Sequence, residues 1–240
     1  MFPRRNEDAP RAYQRPILPY KILDMNSDEN VRHEPRWPVL LAALAVGGLY
    51  AALPSSLAIG PRWLQLAIVV ALLVPAVISH HFGYRAINHA VGLLLPAVIT
   101  IFLIWSVVLL VAALPGKKEP ATTMLRSAAA LWWTNVLVFA TWYWRLDAGG
   151  PYSRARREEH TDGAFLFPQM QMNRDDLPGP KGKWSPRFVD YLFLAFNTST
   201  ALSPTDAPVL SRWAKVLMMI QSSISLPIVA VLLGRAINII

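Results

Sequence analysis

The chain contains no cysteine. Disulfides, thiolate metal sites and a cysteine nucleophile are therefore excluded. Charge is scarce as well. Only 16% of the 240 residues are charged, against about 25% in an average soluble domain. The acids are also unevenly placed. None lies between Glu34 and Glu119, and none follows Asp206. Amphipathic helices of soluble proteins carry acids along their wet faces. Here carboxylates are excluded from the apolar runs, as expected where burying an ionised group in lipid is costly.

Several motifs are missing too. There is no Gly-rich phosphate loop, no Gly-x-Ser-x-Gly elbow and no His-Glu-x-x-His. His80, His81 and His89 match no standard metal-ligand spacing. No catalytic residue, cofactor site or metal site is expected, and the chain does not read as an enzyme. The apolar runs contain no carboxylate, which argues against transport coupled through buried acids.

What remains is apolar. Hydrophobic residues make up 54% of the chain. A spanning helix needs about 20 mostly apolar residues. Candidate spans run from Trp37 to Leu57, Trp63 to Ser79, Ala86 to Leu114, Ser127 to Leu146 and Trp213 to about Ile237. Pro96 and Pro227 lie inside two of them. Ala43, Gly47 and Ala51 recur every fourth residue in the first, a spacing that lets helices approach closely. Trp142, Tyr143, Trp144 and Arg145 mark a headgroup level. The expected fold class is all-α: a polytopic membrane protein with about five transmembrane helices plus one short re-entrant or interfacial helix before the last span.

Four regions follow. Residues 1–36 form a charged tail, expected to be flexible, and 37–146 a four-helix transmembrane region. Residues 147–187 form a polar loop, which Arg154, Arg156, Arg157, Glu158 and Glu159 should keep solvated. Residues 188–240 hold the short helix, a polar stretch and the final span. The first apolar run starts too late for a signal peptide.

The net charge of +8 fits basic residues gathered in cytoplasmic segments facing anionic lipid, and no nucleic-acid surface is visible. A cytoplasmic N-terminus gathers most Lys and Arg on one side. It leaves Arg62, Lys117, Lys118, Arg126 and Arg235 on the other. The expected location is the bacterial inner (plasma) membrane, with the lipid bilayer as the first partner.

The informative stretch is 188–238. Phe188 to Phe196 is too short to cross a bilayer. It leads into Asn197, Thr198, Ser199 and Thr200, then Pro204; irregular backbone at membrane depth survives only when buried in protein or lining a water-filled cavity. Two readings stand: a re-entrant loop, or an interfacial helix with a turn into the last span.

The first resembles the pore module of two-transmembrane potassium channels. That family has an outer helix, a pore helix, a filter loop Thr-Thr-Val-Gly-Tyr-Gly-Asp and an inner helix. The matching stretch here is Thr200-Ala201-Leu202-Ser203-Pro204-Thr205-Asp206, with Thr200 and Asp206 identical. Lys215 falls near a basic residue common early in the family's inner helix, and Pro227 where some members carry a hinge. Ser203 and Thr205 replace both filter glycines, and Pro204 the aromatic. Filter carbonyls ligate potassium, and glycine permits the backbone angles that align them. The resemblance therefore implies a channel-like segment without potassium selectivity. Thr198, Ser199, Thr200, Ser203, Pro204, Thr205 and Asp206 are its candidate pore loop and Pro227 its candidate hinge. One such loop cannot enclose a pore, so a homo-oligomer is implied, a tetramer by analogy. The alternative is a non-conducting scaffold that binds a partner through the tail and the 147–187 loop.

Overall fold

The computed structural model describes residues 35, 37–61, 63–82, 84–115, 120–157, 160, 162–173, 176, 184–200 and 207–237. The 1–36 tail therefore lies outside the described residues, apart from Pro35.

Among the described residues seven α-helices follow one another: α1 (Trp37–Ala51), α2 (Leu64–His81), α3 (Arg85–Ala112), α4 (Ala121–Leu146), α5 (Pro151–Ala155), α6 (Phe188–Thr200) and α7 (Arg212–Ile237). Among the described residues there is no strand, only an isolated antiparallel bridge between Phe165 and Val209. The all-α class is as expected.

The number of long apolar helices is not. Among the described residues two helices are long and apolar enough to cross a membrane, Ile87–Ala112 and Arg212–Ile237, rather than about five. The reasons are local. Helix α1 stops at Ala51, ahead of Pro54, and has 15 residues. The apolar part of α2 is confined to Leu64–Ile78. Helix α4 has 26 residues, but Thr122, Thr123, Arg126, Ser127, Thr134, Asn135 and Thr141 dilute its hydropathy. It begins at Ala121 behind Pro120, a turn and a half earlier than the apolar run alone implies.

Helix α4 is the centre of the bundle and packs against α1, α3, α6 and α7. Its buried face carries Leu131, Val138, Phe139 and Tyr143. Helices α1 and α2 meet where Gly47 faces Leu66. A Cβ on Gly47 would fall 2.7 Å from Leu66 Cδ1, so the small-residue spacing in α1 serves a real close approach. Helix α3 is tied to α4 by Arg145, which donates to the Asn88 carbonyl, and by Trp142 Nε1, which donates to Thr100 Oγ1 at 3.1 Å.

The core is a cluster of apolar side chains that also encloses several polar ones. Asn135, Ser199, Gln221 and Ser225 are buried, while Leu41, Val74, Ile101, Val108, Val216, Met219, Leu226 and Leu233 face outward.

Candidate functional site: the α4–α6–α7 interface and its cap

Helix α6 continues past Phe196 through the polar run to Thr200. The hydroxyls make this possible. Thr198 Oγ1 donates to Leu194 O at 2.8 Å and Thr200 Oγ1 to Asn197 O at 2.9 Å. Each satisfies itself on the helix's own carbonyls.

The α6 contacts step regularly along both neighbours. Tyr191, near its start, reaches Asp147 just past the end of α4. Ala195 O accepts from Gln221 Nε2 at 2.7 Å. Ser199, near its end, lies 2.9 Å from Ser225 Oγ and accepts from Asn135 Nδ2 at 3.3 Å. Helices α6 and α7 thus run in the same direction, and α4 runs against both. Ser225 is the fourteenth residue of α7 and Asn135 the fifteenth of α4, so α6 ends halfway along each.

The chain is back at the level of the α6 start by Ala207. Leu166 N donates to Pro208 O at 2.9 Å, and Leu210 N to Ala164 O at 2.8 Å. Trp213, in the first turn of α7, meets the Phe165 ring at 6.2 Å.

At mid-depth the three helices share a buried polar ladder. Tyr143 Oη donates to Gln221 Oε1 at 2.5 Å, and Asn135 Nδ2 also donates to Gln221 O at 3.3 Å. Ser222 Oγ donates to Thr198 O at 3.4 Å. Asn135 Oδ1 has no hydrogen-bond partner among the described residues. Asn135, Gln221, Ser222 and Ser225 thus bond between helices, while Ser223 is exposed.

The cap was not foreseen. Helix α4 ends in a chain reversal, with Ala148 at φ 51°, Gly149 at 79° and Gly150 at 88°. The reversal turns Asp147 inward. Asp147 is fully buried there. Its Oδ1 accepts the Ala164 N–H at 2.5 Å, and its Oδ2 accepts the Tyr191 hydroxyl at 2.6 Å. His160 Nε2 stands 3.4 Å from Oδ2, a looser coulombic contact. Burial pushes this carboxyl's pKa up. His160, Tyr191 and the Ala164 N–H outweigh that and hold it below the ordinary value.

Arg154 is also buried rather than solvated. Its Nη1 donates to Trp144 O at 2.7 Å and to Asp147 O at 3.0 Å. Its guanidinium lies 5.8 Å from the Trp144 ring and 5.1 Å from the Tyr191 ring. One buried carboxylate and one buried guanidinium thus sit together under Phe165 and Phe167, which are themselves buried.

Of the candidate pore-loop residues, Thr198 and Ser199 are buried between helices and Thr200 is half-buried. Ser203, Pro204, Thr205 and Asp206 lie outside the described residues. Pro227 sits inside α7, which is assigned as one helix from Arg212 to Ile237. Among the described residues no group of three or more His, Asp or Glu side chains is placed to hold a metal.

No family model matches this chain, and neither a curated protein nor a solved structure does.

Proposed function

We propose that the chain is a polytopic helical membrane protein whose α6–α7 segment is a degenerate channel-type hairpin. In an oligomer it passes ions or small solutes without potassium selectivity. One observation carries the reading: α6 and α7 start at the same end, run in the same direction, and α6 stops halfway along α7. A helix that enters, stops at mid-depth and hands over to a full span from its own starting level is a re-entrant arrangement. Helices α4, α6 and α7 then follow the outer helix, pore helix and inner helix order of two-transmembrane channels.

The membrane part of the reading is supported by the outward apolar faces of α3 and α7 and by the polar ladder inside. Lipid offers no hydrogen bonds, so polar groups belong within the bundle. Helices α1, α2 and α4 join α3 and α7 as spans on this reading, because they pack with them as one bundle. The N-terminus is placed in the cytoplasm by its basic excess.

The test is flux of potassium and sodium from liposomes holding the purified chain. The expected result is comparable flux of both ions, abolished by deleting 197–206. Absence of flux, or flux that survives the deletion, overturns the proposal.

A second reading is favoured by Thr198 and Ser199, which bond to neighbouring groups within the bundle instead of facing a path. It makes the chain a non-conducting scaffold that binds a partner protein or lipid. Oligomeric state in mild detergent separates the two: a ring-forming oligomer belongs to the channel and a monomer to the scaffold.

A further inference from the structure

One cavity opens beside α6, with a volume of about 160 Å³. Phe167 and Gln169 line one side, Asp190, Phe193 and Asn197 the other, and Ala207 an end. The three α6 residues are spaced at three and four positions, so they share one helix face. None of these side chains is a candidate pore-loop residue or a hydrogen-bond partner in the polar ladder.

The lining is chemically specific. It has one carboxylate, two primary amides and two phenyl rings. The carboxylate is partly withdrawn from water. Its Oδ2 accepts the Arg187 N–H at 2.7 Å, the return half of a capping box at the start of α6. Desolvation by burial pushes its pKa up, against the opposing hydrogen bond and the charge of Arg187. The Arg187 residue itself is exposed. A desolvated carboxylate gains from a cation that enters beside it, because the cation replaces hydration lost on folding.

Size and wall chemistry choose among cations. The cavity has room for about five water-sized groups, far more than a bare metal ion fills. Aromatic faces attract ammonium groups, and quaternary ammonium ions are recognised by such walls beside a counter-charge. An anion would meet the Asp190 carboxylate. A purely apolar ligand would leave that carboxylate and both amides without water.

We infer that this cavity binds a small organic ammonium ion, with Asp190 as its counter-ion and Phe167 and Phe193 as its walls. The site stands in a single chain and does not depend on whether the α6–α7 hairpin conducts.

The experiment is isothermal titration of the full-length chain in detergent, with choline and with its neutral carbon isostere 3,3-dimethylbutan-1-ol as the probes. Choline is expected to saturate at one per chain and to bind at least about ten-fold tighter than the isostere, the difference being the charge. Asp190→Asn keeps an acceptor for the Arg187 N–H and should weaken choline binding by at least about ten-fold. Phe193→Leu keeps the carboxylate and most of the apolar volume, and should weaken it by about three- to ten-fold. No saturable choline binding, or equal binding of the isostere, overturns the inference with the wild-type chain alone. So does unchanged choline affinity in a folded Asp190→Asn or Phe193→Leu chain.

Discussion

The Tyr143 hydroxyl donates to Gln221 Oε1 across 2.5 Å, while the same Gln221 amide donates to Ala195 O at 2.7 Å. One side chain of α7 therefore holds α4 and α6 together, and none of its reach is left to solvent.

Gln221→Leu should destabilise the bundle by about 1–3 kcal/mol, because the Tyr143 hydroxyl loses its acceptor in a buried setting. Tyr143→Phe should cost less, about 1 kcal/mol. In the double variant the two costs should fall short of additivity, since both remove the same bond. Thermal unfolding in detergent, followed by circular dichroism, reads all three. Strict additivity would show that the pair is not coupled.

Asp147 predicts an acid dependence. Its pKa is held below the ordinary carboxyl value in the folded chain. A depressed carboxyl binds protons more weakly when folded than when unfolded. Its contribution is thus present above the unfolded pKa and is lost as pH falls through the folded one. Wild-type stability should drop on acidification below about pH 4, and Asp147→Asn should flatten that drop. At neutral pH the same substitution should cost roughly 2–3 kcal/mol, because the Ala164 N–H and Tyr191 hydroxyl lose a charged acceptor. An unchanged acid profile in the variant would contradict this account.

The chain reversal after α4 makes a pair of opposite predictions. Ala148 has φ 51°, where a Cβ is unfavourable by about 1–2 kcal/mol. Ala148→Gly should therefore raise the melting temperature. Gly150 has φ 88°, and a Cβ there would meet Arg145 O at 2.9 Å. Gly150→Ala should lower the melting temperature and loosen the Asp147 cap. Shifts of the same sign in both variants would refute the backbone argument.

The absence of cysteine makes the proposed hairpin easy to map. Single cysteines at Ser185 and Pro208, both exposed, flank α6 and its following segment. On the re-entrant reading both react with a membrane-impermeant maleimide from the same side of sealed vesicles, and a cysteine at Arg235 does not. Labelling of 185 and 208 from opposite sides would show α6 crossing.

The sequence made the helical class legible, and the α7 polar residues too. Gln221, Ser222 and Ser225 are conspicuous in an apolar run, and polar groups there seek one another. The extent of α6 was not legible. Asn197 to Thr200 looks like a loop by composition, and only the back-bonding of Thr198 and Thr200 shows how the helix absorbs it. The count of long apolar helices failed for a related reason in α4: Ser127, Thr134, Asn135 and Thr141 are buried within the bundle, so they lower its hydropathy without facing solvent. The Asp147 cap was hidden by distance. Its partners lie 13, 17 and 44 positions along the chain, among arginines that read as a solvated surface. The Gly149–Gly150 pair after the helix end is the signal the sequence offers for the chain reversal.

Helix α4 touches α1 and α3, made before it, and α6 and α7, made after it. Ribosomal synthesis therefore delivers the hub before α6 and α7. The first four helices can assemble while the rest of the chain is still emerging, and they offer α6 and α7 a finished wall bearing Asn135 and Tyr143. A polar short helix released without that wall would have nothing to bond to, so the order of the chain protects its most vulnerable segment during biogenesis.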